Sequence, residues 1–129
     1  MFVDVHAHLD DEAFNDDREQ VLERIKADGI IVVNAGSDIA SSRYSAELAE
    51  KHDFIYACVG VHPHEACKVQ QDYIIEFEKL AKNPKVIGIG EIGLDYYYDF
   101  SDRKIQKKVF QEQLDLAKSL DLPVVIHDR

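Results

Sequence analysis

The sequence predicts an α/β fold built on a parallel sheet, and three observations carry that reading. Short apolar, β-branched runs alternate with helical patterns along the 129 residues. The alternation repeats five times, and strands linked through helices in this way run parallel. Five of the six histidines fall at or just past the C-terminal ends of those runs, the ends that a parallel barrel gathers on one rim.

The elements follow in order. Residues 2–5 form a first strand. Residues 12–28 are mostly helical, with Asp17 as N-cap and Gln20 at capping-box spacing; Val21, Leu22 and Ile25 make the buried stripe. Gly29 stops that helix. Residues 30–34 are continuous and β-branched, the pattern of a strand covered on both faces. Residues 40–51 form a second helix, and 54–61 a third strand that Pro63 ends. Residues 72–80 form a third helix, stopped near Asn83-Pro84, and 86–92 a fourth strand. Ser101 reads as N-cap of a long helix through Leu120, with Ile105, Val109, Leu114, Ala117 and Leu120 on one face. Residues 123–127 close the pattern as a fifth strand. All five strands are expected to be buried.

Composition narrows the classes. Hydrophobic residues make up 46% of the chain, enough for a core, and the length suits one domain. No run approaches the roughly 20 apolar residues that span a bilayer. The N-terminus lacks the basic and apolar regions of a signal peptide, so a cytoplasmic protein without membrane contact is expected. Cys58 and Cys67 fit neither a disulfide framework nor a paired zinc motif, and both read as buried thiols. The net charge of −10 argues against a broad basic surface for nucleic acid. A metal cluster would still supply positive charge locally.

The chemistry lies in the strand ends. His6 and His8, two residues apart on a strand, project the same way; two polar groups facing solvent is the competing reading of that pair alone. His62 and His64 flank Pro63 after the third strand. Glu91 stands in an otherwise apolar strand, and His127 ends the fifth. A lone buried carboxylate costs several kcal/mol, which a metal or a partner such as Arg129 would remove. Imidazoles and a carboxylate on one rim suit zinc, manganese or similar ions. His52, at a helix end, reads as a surface residue. Gly88, Gly90 and Gly93 match the spacing of a dinucleotide fingerprint, but no helix follows directly and Glu91 would repel a pyrophosphate, so nucleotide binding is rejected.

Four segments together resemble the TatD-type metal-dependent deoxyribonucleases, which are amidohydrolase-like TIM barrels: Phe2-Val-Asp-Val-His-Ala-His-Leu-Asp10, Gly60-Val-His-Pro-His64, Gly90-Glu-Ile-Gly-Leu-Asp-Tyr96 and Pro123-Val-Val-Ile-His-Asp-Arg129. The resemblance runs from end to end. It implies two divalent ions (zinc, magnesium or manganese), with His6 and His8 on one, His127 on the other and Glu91 bridging. It places His62, His64 and Arg129 against the substrate and Asp95 near the rim. Asp4 and Asp10 flank the first histidine pair as orienters of its imidazoles or as capping or solvated groups. The implied reaction is hydrolysis of a DNA phosphodiester by water activated between two metals.

A whole barrel has eight strands and typically ~250 residues. Residues 1–129 therefore read as the N-terminal part of a single TIM-barrel domain, about five of eight βα units. The family's later ligand histidine and its aspartate general base fall outside these residues. Three origins stay open: a truncated product, a disrupted gene, or a short form that pairs with another chain. The full-length enzyme is expected to be monomeric, while an exposed fifth strand leaves self-association open to the fragment. An amide, lactone or ester hydrolase of the same broad class and a non-catalytic metal-binding fragment are the alternatives.

Overall fold

Five parallel strands pair side by side in chain order, each joined to the next through a helix. The computed structural model describes residues 1–129 in full. The elements are β1 (Phe2–Ala7), α1 (Arg18–Ala27), β2 (Ile30–Ala35), α2 (Ile39–Lys51), β3 (Ile55–Val59), α3 (Tyr73–Leu80), β4 (Val86–Leu94), α4 (Arg103–Leu120) and β5 (Val124–Asp128). Short 3-10 turns occupy Glu12–Phe14 and Pro63–Lys68. No helix is long and apolar enough to cross a membrane.

The sheet curls. Strands two spacings apart lie roughly 10 Å from each other in a flat sheet. Yet the Glu91 amide on β4 donates to the Gly36 carbonyl just past β2, at 2.9 Å. Gly60, past the end of β3, permits the approach: a Cβ there would sit 3.0 Å from the Gly90 carbonyl carbon. The core lies between sheet and helices, where Leu22, Leu48, Phe77, Val109 and Leu116 meet Val32, Ile55 and Ile89.

Burial follows position in the sheet. The inner strands β2, β3 and β4 are largely buried, whereas β1 is mostly exposed and β5 half-exposed. The expectation that every strand is buried therefore fails at both edges, because β1 pairs only with β2 and β5 only with β4. Cys58 is buried as expected, but Cys67 is exposed at the end of the second 3-10 turn.

Several helix boundaries also move. The first long helix begins at Arg18, and Asp17 makes no side-chain cap. The capping box belongs instead to α2, where Asp38 and Ser41 exchange hydrogen bonds. Asp102 caps α4. Ser101 is buried, its hydroxyl accepting from the Cys67 amide and donating to the His64 carbonyl.

The buried face of α4 is rotated from the predicted one. Ile105 is exposed, while Gln106 and Gln113 are buried beside Val109, Leu116 and Ala117. Each glutamine amide makes a two-point pair with one backbone position. Gln113 accepts from the Val61 amide (2.7 Å) and donates to the Val61 carbonyl (3.2 Å). Gln106 does the same at Asp95, at 2.9 and 3.1 Å. One helix thus clamps the loops after β3 and after β4. Replacing Gln113 with Leu keeps the volume but orphans a buried N–H and C=O, and should cost about 1–3 kcal/mol. Equilibrium urea unfolding measures this, and an unchanged midpoint would remove the clamp from the stability of the fold.

Candidate metal centre

Two register irregularities aim the central side chains. Asp4 pairs with Val32 and Ala7 with Asn34, so β1 carries an extra residue beside His6. Gly90 pairs with Val125 and Ile92 with Ile126, so Glu91 is itself the extra residue of β4. Bulges of this kind bend a strand and redirect its side chains. The glycines of the rejected nucleotide motif lie within β4 and let β5 come close. A Cβ on Gly93, at φ +143°, would stand 2.0 Å from the His127 carbonyl oxygen.

Glu91 is 4% exposed, and its two oxygens face different histidines. Oε2 lies 3.0 Å from His6 Nε2 and 3.3 Å from His8 Nε2. Oε1 lies 3.0 Å from His127 Nδ1 and 3.9 Å from His62 Nε2. The donor atoms form two groups, His6–His8–Glu91 and His62–Glu91–His127, each spanning less than 4.8 Å and sharing the carboxylate. The alternative partner, Arg129, turns instead to Asp95 at 3.3 Å. Burial alone would raise the Glu91 pKa, but hydrogen bonds from His8 and His6 outweigh it and hold it down at about 2.

Tautomers follow from the partners of the other ring nitrogens. His8 Nδ1 lies 3.0 Å from the Ala35 carbonyl, an acceptor only, so Nδ1 carries a proton; Nε2 donates to Glu91 when the ring is protonated and is the atom that losing that proton would free for a metal. His127 stands between two carboxylates, with Nε2 2.9 Å from Asp95 Oδ2 and Nδ1 3.0 Å from Glu91 Oε1, so a proton held toward Asp95 would leave Nδ1 free for a metal. His62 runs the other way. Its Nδ1 accepts from the His64 amide (3.1 Å), so neutral His62 holds its proton on Nε2, facing the pocket. Burial pushes its pKa down to about 4. His62 thus differs from the other histidines of the two groups in presenting an N–H, not a lone pair, toward Glu91 and His127.

Asp95 is the hub that sequence reasoning left least defined. It is fully buried. Oδ1 accepts from the Tyr97 and Tyr98 amides, and Oδ2 meets His64, His127 and Arg129 at 2.8, 2.9 and 3.3 Å. Burial opposes its ionisation, yet the Tyr98 amide and the two imidazoles hold its carboxyl well below the usual range. Asp4 and Asp10 do not orient the imidazoles: Asp4 accepts from the His6 backbone amide and Asp10 from the Asn34 side chain. Those orienting positions belong to the Ala35 carbonyl and Asp95. Asn34, fully buried at the end of β2, accepts from the Leu9 amide and donates to Asp10 and Ser45. A lone amide closing an apolar run was the available signal for it.

These groups open onto a pocket of about 410 Å³ lined by ten residues, none of them hydrophobic. His8, His62, His64, Glu91, His127 and Arg129 all line it, and His6 joins through its contact with Glu91. His52, by contrast, lies away from it at the end of α2.

Known proteins resemble this chain along its whole length. The family described as "TatD related DNase" matches residues 3–129. The chain is 42% identical over 130 residues to an uncharacterized metal-dependent hydrolase, YabD, of Bacillus subtilis, covering all of this chain and 51% of that protein. It is 34% identical over 128 residues to a 3'-5' ssDNA/RNA exonuclease TatD of Erwinia tasmaniensis, covering 98% of this chain and 49% of that one. The crystal structure of YJJV, a TatD homolog from Escherichia coli, superposes with a TM-score of 0.89 at 32% identity, over 99% of this chain and 51% of its own. The chain thus spans about half the length of the relatives it matches.

The folded protein keeps Glu91 ionised down to about pH 2, while its ordinary value is 4.5. Ionised Glu91 therefore stabilises the fold above pH 4.5, and that contribution drains away as pH falls toward 2. In chelator, the stability of the wild type relative to Glu91→Gln should shrink across this interval. A difference that stays flat would place Glu91 outside the pairing described.

Proposed function

The chain belongs to the TatD-related DNase family, and from that premise we propose that it carries the metal-binding part of a hydrolase that cleaves DNA phosphodiester bonds with two divalent ions. The observation that carries the reading is the division of the Glu91 carboxylate. Each oxygen faces its own imidazole set, with His6 and His8 on one side and His127 on the other. A carboxylate between two groups of nitrogen donors suits a pair of borderline ions such as zinc or manganese. When bound, the ions supply Lewis acidity, lowering the pKa of water and neutralising charge on the phosphoryl oxygens.

The protein's own groups do the rest. Ala35 and Asp95 fix the ligand tautomers, and such partners raise the basicity of a ligating imidazole. His62 Nε2–H and Arg129 face the pocket as donors for a phosphoryl oxygen. Arg129 engages Asp95 through Nε alone, which leaves its terminal nitrogens free for an anion. These donors favour a phosphodiester over an amide, lactone or neutral ester, which would leave the guanidinium unpaired. His64, hydrogen-bonded to Asp95, walls the substrate side. The proton of the attacking water is assigned to none of these groups, because imidazoles already occupy both Glu91 and Asp95.

Isothermal titration with manganese tests the ligand assignment. Glu91→Ala should weaken both binding events, His6→Ala one and His127→Ala the other. Asp95→Asn should weaken the His127 event alone, by about 10- to 100-fold. Unchanged titrations in both histidine variants would overturn the assignment. Manganese-dependent, chelator-sensitive cleavage of an oligonucleotide by a protein that completes the eight-strand barrel, with no turnover of small esters, tests the reaction.

A further inference from the structure

His6 and His8 belong to the least supported strand of the sheet. β1 is mostly exposed and pairs only with β2, and its register breaks between Asp4 and Ala7, the stretch that holds His6. His8 lies one residue past the strand's end. Ligand atoms need to be held within about 0.5 Å of their working positions, which a strand edge or a loop achieves only with support from its neighbours. The support is found at Leu9, which is 5% exposed. Two side chains take its two backbone groups. Its N–H donates to Asn34 Oδ1 at 2.6 Å, and its carbonyl accepts from Arg18 Nε at 2.7 Å. Asn34 comes from the end of β2 and Arg18 from the start of α1. The Asn34 amide is fixed in its orientation, because Nδ2 donates to Ser45 Oγ at 2.7 Å and to Asp10 Oδ1 at 3.0 Å, and exchanging its two ends would set one donor against another at Leu9. Arg18 Nη2 donates to the Asp11 carbonyl at 2.9 Å, and the Asp11 amide closes the turn onto the His8 carbonyl at 3.1 Å. The residue after Asn34 completes the arrangement, since the Ala35 carbonyl meets the His8 ring. The pair is the counterpart on β1 of the glutamine clamps at Val61 and Asp95, built from two side chains instead of one.

We propose that Asn34 and Arg18 are positioning residues for the His6–His8 metal position. Both lie outside the ten residues that line the pocket. They fix the chain as it leaves His8, so that the imidazole stays within reach of the Ala35 carbonyl on one side and Glu91 on the other. The proposal rests on the metal reading above and adds what holds one half of it in place. The His127 position takes its support from Asp95 instead. Loss of the Leu9 tethers should therefore divide the two positions, whereas a general loosening of the fold would weaken both.

Manganese titrations in two backgrounds separate these outcomes. His127→Ala leaves the His6–His8 event to be read alone, and His6→Ala leaves the His127 event. Asn34→Ala should weaken the first about 10- to 100-fold, the range for groups that support a ligand from behind, and leave the second unchanged. Arg18→Met removes the donors, keeps most of the volume and should divide the two events in the same way; it carries the test where Asn34→Ala does not fold. Equal weakening in both backgrounds, or an unchanged first event, would overturn the positioning role. Nitrogen NMR of the histidine rings in chelator reads the same variants without an ion. The His8 Nδ1–H should lose its hydrogen-bonded shift while the His127 signals stay in place. A His8 signal that does not move also overturns the proposal. If that signal moves and the wild type binds no manganese, the metal reading alone fails.

Discussion

A carboxylate that is 4% exposed within an apolar strand is the constraint around which the rest of this structure is arranged. An isolated buried charge is untenable in a protein interior. Here four imidazoles surround it, from β1, from the loop after β3 and from β5. Bringing those elements to one point requires the sheet to curl, and the curl requires Gly60 and Gly93 where strand or loop backbone comes close. The bulge at Glu91 and the extra residue in β1 turn the side chains inward.

Asp95 plays a second, quieter part. It never meets Glu91, yet it sits behind His127 and His64 and holds the backbone of the aromatic loop. Two buried carboxylates thus divide the work. One faces the donor atoms and the other fixes the rings that carry them, an arrangement typical of supporting partners around metal ligands. It also ties the aromatic loop after β4 to the proposed metal site through one carboxylate.

Much of this was legible in the residues. The alternation of apolar runs with helical patterns gave all five strands and four long helices in order. The histidines and Glu91 stood out because polar groups at strand ends have few structural reasons to cluster. What escaped depended on tertiary partners. Exposure of β1 and β5 follows from which strands lie beside them, which no local pattern records. Gln106 and Gln113 lie off the apolar face that periodicity predicts for α4, and only the two loop backbones they satisfy make their burial tolerable. Asp95 carried no pattern of its own, since its role is set by residues up to 34 positions away.

The glutamine pair on α4 has one more consequence. Gln106 and Gln113 are seven residues apart, almost two full helical turns, so both amides point the same way. The helix acts as an indexing bar that sets the loop after β3 against the loop after β4. A single residue inserted between the two glutamines would swing one amide by about 100° and release its loop. Length between these positions is therefore more tightly fixed than identity. The exposed side of the helix, where Lys107 and Gln111 face solvent, is free to drift, while the interval itself is held by the geometry of the two loops.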